Sequence, residues 1–131
     1  MAKFVHMMIR VLDEARSVKF YQACFGLEIA ERKEWPDFTL TYMRNIETGF
    51  EVELTVNKGR TEPYNLGDGY GHVAFVTPDL KAAHKRIADA GYQPKDIKTM
   101  NFEGEPFATF FFVEDPDGYK IEVLERGGRF Q

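Results

Sequence analysis

Four side chains, His6, Glu53, His72 and Glu122, combine metal-ligating chemistry with a spacing that repeats. Imidazole plus carboxylate is the ligand mix for zinc, nickel, iron or manganese rather than for a structural cysteine site. Glu122 falls in the alternating run Lys120-Ile121-Glu122-Val123-Leu124, on the face opposite Ile121 and Val123. A carboxylate inside a strand is costly unless something pairs with it. A lone strand histidine is more often a satisfied core residue than a ligand, so the repeat carries the argument. His6 precedes the helix-capping Asp13 by seven positions, and His72 precedes Asp79 by seven. The histidines lie 66 positions apart and the glutamates 69, a gap that one loop-length difference absorbs. Each half thus offers a His from its first strand and a Glu from its last. All four are expected on strands, which hold ligand geometry better than loops do. His84 reads as a surface helix residue; the plainer reading leaves Glu51 and Glu53 as an exposed strand face and Glu125 as a solvated end.

The elements that must position this set read as β-α-β-β-β, twice. In the first half, Phe4 to Val11 is a strand with His6, Met8 and Arg10 on one face. Asp13 caps a helix from Arg16 to Phe25, with Val18, Tyr21 and Phe25 as its apolar positions and Gly26 as its stop. Strands are predicted over Leu27–Lys33, Phe38–Arg44 and Phe50–Asn57, the last with Glu51, Glu53, Thr55 and Asn57 on one face. Lys58 to Asp68, with Gly59, Pro63 and Gly67, reads as a linker. The second half begins with a strand over Gly71–Val76. A helix capped by Asp79 follows, through Leu80, Ala83, Ile87 and Ala90 to Gly91. Strands are then expected over Tyr92–Lys98, Phe107–Val113 and Tyr119–Leu124. Asp115-Pro116-Asp117-Gly118 supplies the last turn. Gly127 to Gln131 is expected to fray. The fold class is α+β, one domain over residues 1–131 made of modules at about 3–57 and 69–125.

Bulk properties narrow the function classes. The chain is 44% hydrophobic, with twelve phenylalanines to build a core. Net charge is −4 with no basic run, which argues against nucleic acid and anionic membrane as partners. Cys24 is the one cysteine, so no intrachain disulfide forms, in keeping with a reducing compartment. Lys3, His6 and Arg10 interrupt the N-terminal apolar run, and no stretch reaches the roughly 20 apolar residues of a membrane helix. A cytoplasmic location is the expectation.

These segments together resemble glyoxalase I of the vicinal-oxygen-chelate superfamily, over nearly the whole chain. The likeness rests on His6 with Arg10, Ala15 to Tyr21 leading to Phe25-Gly26-Leu27, Val52 to Asn57, Tyr64 to Ala74, and Phe112 to Glu122. The Phe20-Tyr21 to Gly26 segment and the Asp115 to Gly118 turn are common to the superfamily. Glu53 to Asn57 and Tyr64 to His72 are closer to glyoxalase I. The resemblance implies a glyoxalase-like half-barrel built from βαβββ modules. It implies one divalent metal per site, Ni²⁺ or Zn²⁺, held by His6, Glu53, His72 and Glu122. The metal would act as a Lewis acid on the methylglyoxal–glutathione hemithioacetal. Glu122 would be the proton-moving base, with Glu53 its symmetric counterpart. Arg10 and Asn57 match positions that hold the glutamyl end of glutathione, and both share a strand face with a ligand. A homodimer with sites shared between chains is also implied.

One departure stands out. The stretch Met100 to Phe107 is read as a loop, and it carries Glu103 and Glu105 where the family usually keeps a cation; Asp68 replaces an Arg of some members. The alternatives are a metal-dependent relative (an epimerase, a dioxygenase or a lyase using a different thiol) and a non-catalytic small-ligand-binding or resistance module. Epimerases tend to carry Gln where Glu53 stands, and binding modules usually lose the ligands.

Overall fold

The computed structural model describes residues 1–131, and the chain divides into two compact units, Met1–Asn65 and Leu66–Gln131. Unit one runs β1 (His6–Arg10), α1 (Glu14–Phe25), β2 (Glu28–Glu34), β3 (Phe38–Arg44) and β4 (Glu51–Asn57). Its open four-stranded sheet has the order β1-β4-β3-β2, with β1 parallel to β4 and the other pairs antiparallel. Unit two repeats this with β5 (Val73–Thr77), α2 (Leu80–Asp89), β6 (Lys98–Phe102), β7 (Glu105–Glu114) and β8 (Lys120–Glu125). Its sheet order is β5-β8-β7-β6, again with the first strand parallel to the last. The two βαβββ units expected from the spacing are therefore present.

Local chemistry sets the helix starts. The Asp13 carboxylate accepts from Arg16 N at 3.0 Å, and that of Asp79 from Ala82 N at 2.9 Å. Each satisfies an amide that the first turn leaves unpaired. Gly26 closes α1 at φ 63°, a left-handed conformation that glycine adopts without steric cost. The buried face of α1 is Ser17, Phe20, Tyr21 and Cys24, so the apolar stripe sits one position off the predicted Val18-Tyr21-Phe25 register. Small Ser17 and Cys24 let the helix approach the sheet, and Phe20 and Tyr21 meet edge to face at 5.0 Å. Ile9, Met43, Val52 and Leu54 complete this core; Leu80, Ala83, Ile87, Phe111, Ile121 and Val123 form that of unit two. Each fully buried large apolar side chain contributes about 1.5–3 kcal/mol relative to exposure.

A brace joins α1 to its sheet. Arg32 on β2 grips the Glu14 carboxylate through Nε at 2.7 Å and Nη2 at 3.1 Å, and the Thr41 hydroxyl on β3 donates to it at 2.6 Å. The Arg32 hydrogen bond, aided by Thr41, holds Glu14 below the usual carboxylate range against the upward push of burial.

Four expectations change in unit two. The Tyr92–Lys98 strand is absent; β6 starts only at Lys98. Pro94 lacks the amide a ladder requires. The segment is pinned irregularly instead, by Lys95 N to Phe112 O at 2.8 Å and by His84 Nε2 against Lys95 O at 3.0 Å. His84 also packs its ring edge on Phe111 at 5.0 Å, so it is a half-buried brace rather than a surface residue. The stretch read as an acidic loop is a β-hairpin. Glu103 (φ 50°) and Gly104 (φ 81°) make the two-residue turn between β6 and β7, the positive-φ pair that matches strand twist. The tail does not fray freely: Gly127 and Phe130 exchange backbone hydrogen bonds, and the Phe130 ring meets Phe107 at 5.7 Å.

The last turn is built on Asp115, which is 4% exposed. Its Oδ1 accepts from Asp117 N at 2.9 Å and Tyr119 N at 3.0 Å. Gly118 at φ 92° completes the reversal that feeds β8.

Candidate metal centre

The parallel β1–β4 pairing sets Met8 opposite Glu53, and the β5–β8 pairing sets Ala74 opposite Glu122. In each unit the histidine lies two residues before that partner, on the same face. His6 Nε2 reaches Glu53 Oε2 at 2.9 Å, and His72 Nε2 reaches Glu122 Oε2 at 3.4 Å. His72 lies just before β5 rather than within it, which corrects the expectation that all four residues are on strands. The histidines are 39% and 40% exposed in their side chains, the glutamates 12% and 17%. Each pair therefore sets a partly exposed imidazole against a largely buried carboxylate. Neither unit gathers three or more His, Cys, Asp or Glu side chains on its own. The donors fit a divalent ion in type, and each unit contributes one imidazole and one carboxylate.

Two aromatic residues were missed from sequence. Tyr42 on β3 pairs with Glu53, and Phe112 on β7 pairs with Glu122. His6 packs edge-on against Tyr42 at 5.9 Å and 78°, and His72 against Phe112 at 5.2 Å and 76°. An aromatic residue ten or eleven positions before each Glu was a readable signal, but its meaning depends on hairpin register. Burial first, then the nearby Glu53 charge, push the Tyr42 hydroxyl above its ordinary pKa.

Arg10 is exposed on the His6 face of β1, opposite Thr55. Asn57 ends β4, and its Nδ2 donates to the Tyr64 hydroxyl at 3.1 Å. Arg60 lies 4.4 Å over the Tyr64 ring and donates to the carbonyls of Glu62 and Pro63 at 2.7 and 3.1 Å. Those contacts give the Lys58–Tyr64 part of the linker a defined shape and fix Asn57 from behind. Glu103 and Glu105 lie exposed at the β6–β7 turn, and Asp68 is exposed ahead of His72.

The sequence profile of the Glyoxalase/Bleomycin resistance protein/Dioxygenase superfamily matches residues 3–123. The chain belongs to this superfamily. It is 36% identical over 128 residues to a lactoylglutathione lyase of Haemophilus influenzae, across 94% of this chain and 92% of that one. It is 35% identical over 130 residues to a probable lactoylglutathione lyase of Synechocystis sp., across 95% and 96% of the two chains. The crystal structure of glyoxalase I from Zea mays superposes with a TM-score of 0.84 at 29% identity, over 96% of this chain and 45% of the maize chain.

Proposed function

We propose that this chain is a metal-dependent lactoylglutathione lyase that isomerises the methylglyoxal–glutathione hemithioacetal to S-lactoylglutathione. The observation that carries this is the pair of matched His–Glu contacts, set in a chain that aligns end to end with bacterial lactoylglutathione lyases. His6, Glu53, His72 and Glu122 would hold one divalent ion, Ni²⁺ or Zn²⁺, which when bound supplies Lewis-acid stabilisation of negative charge on the substrate oxygens. Glu122 takes the proton from the carbon bearing sulfur and returns it to the adjacent carbonyl carbon. The hydroxyl proton passes to the other oxygen, so the hemithioacetal becomes a hydroxy thioester with no redox partner. Arg10 and Asn57, on the ligand faces of β1 and β4, hold the glutamyl end of the thiol. The chain works as a homodimer in which one chain's first unit completes the other's second. A cytoplasmic setting suits a glutathione substrate and the lone, buried Cys24.

The test is to strip the protein of metal, reload it separately with Ni²⁺ and Zn²⁺, and follow thioester absorbance with methylglyoxal and glutathione. Turnover is expected with at least one metal, and Glu122→Gln should abolish it while the protein still folds. No thioester with either metal would overturn the reading. For the shared site, His6→Ala and Glu122→Gln chains are mixed and allowed to exchange. A site built across chains restores about a quarter of parental activity, since half the dimers are mixed and each holds one intact site. Sites confined to single chains give no recovery.

A further inference from the structure

The two units support matching aromatic residues in different ways. In unit one, β2 runs beside β3 past Tyr42, which pairs with Glu31 in the ladder. In unit two, β6 starts only at Lys98, opposite Phe110, so the ladder stops short of Phe112. Phe112 is the residue that lies across from Glu122 and meets the His72 ring at 5.2 Å. Its carbonyl is met from outside the ladder, by Lys95 N at 2.8 Å. Lys95 follows Pro94 in an irregular segment, and its own carbonyl faces His84 Nε2 at 3.0 Å. A carbonyl oxygen only accepts, so His84 is the donor and carries its proton on Nε2. The His84 ring is seated in turn against Phe111, at 5.0 Å and 81°. At the matching helix position of unit one, five residues after the capping aspartate, stands Val18, whose side chain has no donor.

We infer that His84 is a positioning residue for the His72–Glu122 pair: it clamps Lys95 against β7 and so replaces, at Phe112, the ladder that β6 does not supply. Lys95 is held on both sides, its N–H by β7 and its C=O by α2. Without the His84 bond, one hydrogen bond from an exposed, irregular segment would be left to steady that stretch of β7. Phe112 then has more freedom, and its ring no longer limits how the His72 imidazole turns. Outer groups that fix a ligand's orientation raise its affinity for an ion. Unit one needs no such clamp, because β2 already covers Tyr42. The ion-binding half of this inference rests on the proposed metal site, while the clamp itself does not.

The experiment compares the parent with His84→Gln and His84→Leu, each as the metal-free full chain. Gln offers an N–H in place of Nε2 and gives up the ring; Leu keeps apolar contact with Phe111 and gives up the donor. Amide hydrogen exchange, followed by NMR, reads the clamp. The Lys95 amide should exchange about fivefold faster in His84→Leu, as loss of one hydrogen bond implies. In His84→Gln it should stay within twofold of the parent. The cross-relaxation signal between the Phe112 and His72 rings should weaken in His84→Leu alone. Titration with Ni²⁺ against a chromophoric chelator should then show about fivefold weaker binding for His84→Leu, and parental binding for His84→Gln. A Lys95 amide that is unprotected in the parent, or equally protected in His84→Leu, would overturn the clamp. Equal losses in Gln and Leu would assign the effect to ring packing on Phe111 and overturn it too. Faster exchange with Ni²⁺ binding within twofold of the parent would overturn the link to the His72–Glu122 pair. Should His84→Leu fail to fold, His84→Ala takes its place with the same expectations. A parent that binds no Ni²⁺ would defeat the metal reading, yet the exchange and ring signals would still decide the clamp.

Discussion

Replacing Asp115 by alanine tests how the turn before β8 is held. The carboxylate accepts two backbone N–H bonds through one oxygen, from Asp117 at 2.9 Å and Tyr119 at 3.0 Å. Hydrogen bonds to a charged group contribute about 1.5–3 kcal/mol each. The Asp117 amide is only partly buried and regains water in the variant, so its share falls at or below that range; Tyr119 is 8% exposed, and its amide loses this bond where water has little access. The expected cost is about 2–4 kcal/mol. At roughly 4 °C per kcal/mol for a chain of this size, the melting temperature should drop by about 8–16 °C. The assay is thermal unfolding of metal-free protein, because bound ion would add its own stabilisation and mask the loss. Asp115→Asn keeps a carbonyl acceptor and should lose only about 1 kcal/mol. If Asp115→Ala melts within 2 °C of the parent, the side chain does not hold the turn and the reasoning fails. If Asn and Ala lose equally, charge rather than an acceptor at that oxygen is what matters.

Two further outcomes follow from the packing. Arg32 holds the Glu14 carboxylate below 4.5, so its stabilisation is complete above pH 4.5 and is lost as pH falls through the lowered value. Urea midpoints of parent and Glu14→Gln should therefore differ most at neutral pH and converge well below pH 4.5; a constant gap would refute the pairing. Phe111, 1% exposed on β7 under α2's His84, should cost about 3–5 kcal/mol when replaced by alanine, read by urea denaturation. A loss under 1 kcal/mol would mean that the unit-two core does not depend on it.

Much of the fold was legible because its signals are local. Asp13 and Asp79 announce helix starts three residues before the amides they cap, and Phe38–Arg44 alternates cleanly enough that its bounds match the strand. The Tyr92–Lys98 misreading has an equally local cause in Pro94, whose missing amide outweighs the flanking Tyr92 and Ile97. The β6–β7 hairpin escaped notice because its first turn residue is Glu103. A non-glycine at positive φ is set by the strands on either side rather than by its own preference. The helix face of α1 slipped by one position because small residues, Ser17 and Cys24, form half of it, and hydrophobicity alone does not mark them.

The amino-acid sequence by itself determined the duplicated βαβββ order and the four candidate ligands, since both rest on residue types at fixed separations. It also placed Arg10 and Asn57 on ligand faces, because strand parity is a property of the chain alone. Tertiary structure decided what stands across from each ligand. Strand pairing brings Tyr42 to Glu53 and Phe112 to Glu122. Pairing register depends on turns and on core packing of whole sheets, so no separation along the chain encodes it. What faces each of the two glutamates is therefore a property of the fold.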